Sequence, residues 1–382
     1  MTSVRANIFL LSVGLALLGL VMVYSATYRD YSEVYLWTRL GHLALGLGAF
    51  ALVSCVRYTS WRKAAPVLYL LVLAVLVLVL VPGFGKEVGG ARRWFDLGPL
   101  SLQPAEFAKL VAVLVTACAV ARLPRGAGLP LKPLAAVGVL FLLVFVEPDF
   151  GTSVVLLSGV VGALWASELA TRSLLVSGAL GFVVLVGMML AAPYRRARFM
   201  VFLDPWAQAD GSGYQIVQSL VTIKAGGVFG AGAGAGAQGP AVPEIGTDMM
   251  FALVGEELGL LGMVAVILAF VYLVLSGFKI SLSAPTVMAR CVAAGLSTMF
   301  AVQATFNIGA AMGVLPLAGM TLPFISYGGS SLIVCFAAVG ALYRISKDSE
   351  RAREITPKPR ATNTNSRRRY GRTRDPRALR GR

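Results

Sequence analysis

The stretch EIGTDMMFALVGEELGLLGMVAVILAFVYLVLS, residues 244–276, decides how the chain is read. From Leu258 onward it is uncharged for longer than the ~18 residues that mark a membrane-spanning helix. Its first part is nearly as apolar, yet it carries Asp248 at its mouth and Glu256 and Glu257 a few turns in. Charged groups in such a segment are costly, so each needs a partner or a function.

The same character recurs outward along the whole chain. Of 382 residues, 57% are hydrophobic and 14% charged, with a mean hydropathy of +0.77. A soluble domain is nearer half apolar and a quarter charged. Period-two alternation is scarce, so the expectation is an all-α, polytopic membrane helical bundle. Ten apolar segments can be placed, at residues 7–25, 36–56, 65–82, 105–122, 133–147, 151–167, 173–192, 248–276, 289–313 and 327–345. The first is long for a signal peptide and further spans follow, so it reads as an uncleaved anchor. The fifth is short for a ~30 Å hydrocarbon core and ends at Glu147-Pro148-Asp149, so it reads as a partial span or half of a tilted pair.

Basic residues set the orientation. With the N-terminus in the cytoplasm, Arg57, Arg62, Lys63, Arg122, Arg125, Lys132, Arg172, Lys279 and Arg290 all fall inside, and ten spans return the C-terminus to that side. Two outer loops break the pattern. Residues 83–104 hold Lys86, Arg92 and Arg93, and residues 193–247 hold Arg195, Arg196, Arg198 and Lys224. An anionic ligand at the outer face would account for them; local pairing with Glu87, Asp96, Asp204 and Asp210 is the alternative. In the second loop Gln215, Gln218, Ser219 and Thr222 recur at i, i+3, i+4, i+7, which predicts an interfacial or re-entrant helix. The glycine-rich run at 226–239 reads as a flexible turn; it is not a P-loop, because no Gly-Lys-Ser/Thr opens a helix after it. The membrane domain is thus placed at 1–346, followed by a tail at 347–382. Residues 344–382 carry fourteen Lys/Arg against four Asp/Glu. That tail reads as disordered, cytoplasmic and close to anionic lipid, without the aromatic or folded context of a nucleic-acid binder.

The chemistry must come from few residue types. Cys55, Cys118, Cys291 and Cys335 lie in or beside apolar runs with no metal-ligand spacing. His42 is the single histidine, inside an apolar segment, so it reads as a packing residue; a histidine triad or metal site is ruled out. Glu256 and Glu257 lie roughly 12–14 Å deeper than Asp248 at ~1.5 Å per helical residue, too far for a carboxylate pair. They read as structural partners for Lys109 or for polar backbone. Asp248 has two readings, an N-cap of its helix or a reactive carboxylate where water, a headgroup and a helix N-terminus meet. Glu106 and Lys109 share a face of the fourth span, as an ion pair or as a phosphate site. Asp149 sits on the outer side after the fifth span. TLPFISYGGSS, residues 321–331, reads as irregular backbone dipping into the membrane, offering the hydroxyls of Ser326, Tyr327, Ser330 and Ser331. Gln303 and Asn307 face inward. The polar segments therefore collect at one face and suit an anionic amphiphile.

The stretches GGARRWFDLGPLSLQPAEFAKL, EPDFGTS, FLDPWAQADGSGYQIVQSL, TDMMFALVGEELGLLG and LPFISYGGSS occur in order over nearly the whole membrane part. Together they resemble the SEDS family (shape, elongation, division, sporulation), the FtsW/RodA/SpoVE-like proteins, and are more similar to the FtsW/SpoVE branch. The resemblance implies ten spans in the bacterial cytoplasmic (inner) membrane and an inverting peptidoglycan glycosyltransferase that polymerises lipid II. It also implies undecaprenyl-pyrophosphate-linked glycan as ligand, a class B penicillin-binding protein transpeptidase as partner, and other divisome or elongasome membrane proteins nearby. The family's essential aspartate falls on Asp248. The sequence departs from the family pattern in three places: Gly246 replaces a histidine, Met249-Met250 replace Phe-Ile, and Glu147 stands where glutamine is common.

On this reading Asp248 is the general base, worth roughly 10²–10⁴-fold. Arg92, Arg93 and Lys109 compensate the leaving pyrophosphate. Glu106, Asp149, Gln215, Gln218, Ser219, Ser326, Tyr327 and Ser330 complete the expected substrate contacts. No metal site is evident; a divalent cation, Mg or Mn, accompanying the pyrophosphate is the one cofactor left open. The rival functions are a lipid II flippase, which would favour the deep Glu256 and Glu257, and a non-catalytic divisome scaffold.

Overall fold

The computed structural model describes residues 2–27, 32–88, 91–98, 100–191 and 193–355. All ten expected spans form helices: α1 (Thr2–Thr27), α2 (Ser32–Cys55), α3 (Tyr58–Leu80), α4 (Pro104–Val120), α5 (Leu131–Val146), α6 (Phe150–Trp165), α7 (Thr171–Ala191), α10 (Met250–Leu282), α11 (Val287–Ala311) and α12 (Gly329–Ile355). Between α7 and α10 lie α8 (Pro193–Leu203) and the expected α9 (Tyr214–Gly226). The protein is an all-α polytopic membrane bundle. α5 and α6 have 16 residues each, short of the ~20 that a full span requires. α12 continues past the expected boundary at 346, so the first part of the expected tail is helical. Residues 356–382, the rest of that tail, lie outside the described residues.

Two elements were not foreseen. α8, PYRRARFMVFL, mixes arginines with apolar residues and so has no apolar run to mark it. The loop after α3 folds as an antiparallel sheet of β1 (Lys86–Val88), β2 (Ala91–Leu97) and β3 (Leu100–Leu102), in that order. These strands have 3, 7 and 3 residues, too few for alternation to stand out.

Ion pairs and loop hydrogen bonds define two sides. Arg5 at the start of α1 pairs with Glu350 near the end of α12 at 2.7 Å. Arg344 of α12 donates to Cys55 O at the end of α2. The loops after α4 and α6 are joined on this side by Arg125–Glu168, with Arg290 of α11 on the same carboxylate. The opposite side gathers the sheet, the α5–α6 turn, the start of α10 and the segment before α12. The two described ends of the chain thus lie on one side, as an even number of spans requires.

α11 and α12 form the buried centre. α11 approaches α4 and α6 closely because Gly159 and Gly295 meet there; a Cβ on Gly295 would lie 2.6 Å from Val113 Cγ1 and 2.8 Å from Gly159 O. α10 is broken at Gly259, whose φ of +66° few residues but glycine adopt. The glycine-rich run fills the break. Ala231 N donates to Glu256 O, Gly232 N to Glu257 O, and Leu260 N to Gly227 O. The Glu256 carboxylate accepts from Gln238 N at 2.7 Å and Gly239 N at 2.8 Å, and Ser25 Oγ donates to Glu257. The expected flexible turn is therefore docked, and of the two partners expected for these glutamates the backbone is the one found. Lys109 pairs elsewhere.

Candidate active site

The side opposite the Arg5–Glu350 pair encloses a cavity of about 940 Å³. Its walls are β2 and β3, the N-terminal turns of α4 and α6, α8, the approach to α10, and the 315–329 segment. Arg93, Glu106, Lys109, Asp149, Asp248 and Tyr327 all line it. Of the residues expected at the site, these six are brought together.

Asp248 does not cap α10. The N-cap is Met249, and no side chain caps the helix there. Its main chain is held instead. Asn307 Nδ2 donates to Asp248 O at 2.8 Å and to Met320 O at 2.6 Å. Ser326 Oγ donates to Thr247 O at 2.6 Å, and Tyr327 N to Gly246 O at 2.8 Å. The carboxylate faces the cavity opposite Gly319, whose added Cβ would lie 3.6 Å from Oδ2. Burial pushes its carboxyl from the ordinary 3.8 up to about 6. Glu244 raises it further, Arg198 lowers it, and smaller effects of Asp149 and Arg93 oppose each other. A carboxylate in this range is a proton acceptor at neutral pH.

Asp149, by contrast, is committed. It caps α6 by accepting from Thr152 N at 3.0 Å, and it accepts from Gln103 Nε2 at 2.6 Å. Arg93 grips the same turn, donating from Nε to Glu147 O at 2.7 Å and from Nη2 to Pro148 O at 2.8 Å. Glu147 is fully buried, with neither carboxylate oxygen hydrogen-bonded. Burial, with help from the Asp149 charge and against the pull of Arg93, pushes its carboxyl up to about 9, so it is neutral at pH 7.

Lys109 and Glu106 form a buried ion pair at 2.8 Å, and Lys109 Nζ also donates to Gln303 Oε1 at 3.2 Å. Gln303 Nε2 donates to Thr321 O at 3.0 Å, tying α4 through α11 to the segment before α12. Of the two readings of Glu106 and Lys109 the ion pair is the one seen, and it lines the cavity.

Six expected contacts lie elsewhere. Arg92 points away and pairs with Glu87 at 2.9 Å, the local pairing considered for this loop; Lys86 pairs likewise with Asp96 at 2.7 Å. On α9, Ser219 Oγ donates to Ala311 O at 2.7 Å and Gln215 Nε2 to Pro243 O at 3.2 Å, while Gln218 is partly exposed outside the cavity. Ser219 packs on α11, and Thr222 of the same stripe is also buried. Ser326 and Ser330 sit behind the wall: Ser330 Oγ accepts from Gln103 N at 2.8 Å and donates to Ser101 O at 3.1 Å. The reading of the sequence had not assigned Gln103, Arg198, Glu244 or Thr321 to the site, yet all four line it. Arg198 lies on α8 and Glu244 in the approach to α10; their charge in the 193–247 loop was the available signal.

The chain matches the family described as cell cycle protein, FtsW/RodA/SpoVE, over residues 5–351. It is 35% identical to stage V sporulation protein E of Bacillus subtilis (strain 168), covering 91% of this chain and 98% of that protein. It is 42% identical to a probable peptidoglycan glycosyltransferase FtsW of Alcanivorax borkumensis, covering 88% and 91%. Among solved structures it is similar to a chain of a peptidoglycan synthase complex that coordinates polymerization and crosslinking, with a TM-score of 0.75, 32% identity, and coverage of 89% and 97%. It is also similar to the rod shape determining protein RodA of Thermus thermophilus, with a TM-score of 0.67, 29% identity, and coverage of 89% and 96%.

Proposed function

This chain belongs to the FtsW/RodA/SpoVE family of cell cycle proteins, and on that premise we propose that it is a peptidoglycan glycosyltransferase that polymerises lipid II with Asp248 as general base. One observation carries the reading: an uncommitted carboxylate and the cations Arg93 and Lys109 line a single cavity. The sugar hydroxyl of one lipid-linked disaccharide gives its proton to Asp248 as its oxygen bonds to the anomeric carbon of the other. The bond from that carbon to phosphate breaks, and the electron pair leaves with undecaprenyl diphosphate. Attack opposite the leaving group inverts the anomeric centre.

A diphosphate leaves readily once its charge is balanced, so no second carboxyl is required as acid. Arg93 and Lys109 supply that balance. Arg93 is already fixed by two carbonyls, and Lys109 by Glu106 and Gln303, so both are preorganised. Among the described residues no three His, Cys, Asp or Glu side chains converge. A Mg or Mn ion travelling with the diphosphate would therefore draw most of its ligands from phosphate oxygens.

The chain sits in the cytoplasmic membrane with both termini inside, the side on which Arg57, Arg62 and Arg125 cluster. Its partner is a class B penicillin-binding protein, in keeping with the synthase complex that it resembles. The flippase reading loses its deep acids, because Glu256 and Glu257 are engaged by backbone amides and Ser25. Purified protein with its partner transpeptidase and labelled lipid II in detergent separates the two. Glycan polymer supports the enzyme; absence of polymer together with lipid II translocation in vesicles supports the flippase.

A further inference from the structure

α2 presents Tyr35, Arg39 and His42 at i, i+4 and i+7, one face of the helix, to the turn at residues 324–329. The Arg39 guanidinium is buried to 1% exposure. Its Nη2 donates to the carbonyls of both Phe324 and Ile325, the latter at 3.1 Å. Phe324 has φ of +67°, a left-handed conformation rare for a bulky residue, and its ring stacks on Phe300 and meets Phe336 edge-on. His42, buried to 2%, fills the space above Gly329, where an added Cβ would come 2.2 Å from Nε2. Tyr35 meets the Tyr327 ring edge-on at 5.4 Å.

The same turn reaches Asp248. Immediately after Ile325, Ser326 Oγ donates to Thr247 O and accepts from Leu322 N, and Tyr327 N donates to Gly246 O. One chain of contacts therefore runs from Arg39 through Phe324 and Ile325 to Ser326 and Tyr327, then to Gly246 and Thr247, and ends at the carboxylate. Arg39 touches neither the cavity nor Asp248 itself.

We propose that Arg39 is a positioning residue for Asp248: with Tyr35 and His42 it clamps the strained 324–329 turn from behind, and that turn fixes the backbone on which the carboxylate stands. A buried arginine is costly unless its hydrogen bonds are satisfied; here Nη2 is satisfied by a turn rather than by an acid, and Nη1 is buried without a partner. A carboxylate displaced by about 1 Å costs on the order of 10²-fold in rate. The effect of Arg39 is thus on turnover and not on substrate affinity. This rests on the glycosyltransferase reading for its kinetic arm alone.

The test uses the full chain with its partner transpeptidase, carrying Arg39→Met, Arg39→Lys, Ser326→Ala or Arg39→Met with Ser326→Ala. Ser326→Ala removes a single hydroxyl and guards against loss of folding in the arginine variants. Arg39→Met and Ser326→Ala are expected to lower kcat between about 10- and 100-fold with KM for lipid II within about threefold. Arg39→Lys restores part of the loss, and the double variant loses less than the product of the singles, because both cut one chain of contacts. Hydrogen exchange supplies an arm independent of activity: Arg39→Met exposes amides at 244–250 as well as at 322–327. Wild-type kcat in folded Arg39→Met or Ser326→Ala, a rise in KM alone, or exchange confined to 322–327 overturns the proposal. A wild-type protein that makes no polymer defeats the glycosyltransferase reading instead, and the exchange arm still decides the clamp.

Discussion

Asn307 Nδ2 bonds the backbone carbonyl of Asp248 at 2.8 Å and leaves its carboxylate alone. The same amide holds Met320 O at 2.6 Å, so one side chain of α11 joins both walls of the cavity above it. The base is fixed through its main chain while its side chain stays available for chemistry.

Asn307→Ala should therefore damage turnover more than folding. Two carbonyls lose a donor, at about 1–3 kcal/mol for each that stays dry. Polymerisation kinetics should show kcat reduced about tenfold or more with lipid II affinity little changed.

The pH profile follows from the Asp248 carboxyl at about 6. A general base works ionised, so kcat/KM should rise about tenfold per pH unit below 6 and level off above it. Glu244 is a like charge that raises this midpoint, so Glu244→Gln should move the acid limb to lower pH. A limb that stays in place would remove Glu244 from the account.

Much of this was legible in advance. The ten spans were found from apolar runs because a bilayer demands them, and Asp248, Lys109 and Arg93 were found as charges where charge is costly. What escaped notice was pairing across distance. Arg92 and Arg93 are adjacent in sequence, yet strand alternation sends one to Glu87 in the sheet and the other to the α5–α6 turn. Ser219 looked like a headgroup contact, but α9 packs it on Ala311 O. Glu244 and Arg198 reach the cavity only because the 193–247 loop folds back over it. The burial of Ser219 and the approach of Glu244 and Arg198 are not encoded in local periodicity.

Glu147 should prove a liability to stability. Its carboxyl sits at about 9 when folded against an ordinary 4.5. The folded state keeps a proton that the unfolded state releases above 4.5, so stability falls as pH rises from there towards 9. Glu147→Gln carries no such proton. Thermal unfolding in detergent should show the variant equal to the parent near pH 4.5 and more stable by up to about 1.4 kcal/mol per pH unit above it.

The Glu106–Lys109 pair separates folding from catalysis. Lys109→Met leaves a lone buried carboxylate and should destabilise the fold by about 3–5 kcal/mol. Adding Glu106→Gln should recover most of that stability. It should not recover polymerisation, because the cation facing the diphosphate is still missing. Recovery of both would make Lys109 a packing residue.

The most direct test is single-turnover polymerisation by Asp248→Asn, alongside lipid II binding to the same protein. Asparagine keeps the size and the backbone contacts to Asn307 but cannot accept the proton. The account predicts polymer reduced by at least about 10²-fold at pH 7.5 with binding within about threefold of the parent. Polymer formed at the parental rate would contradict it.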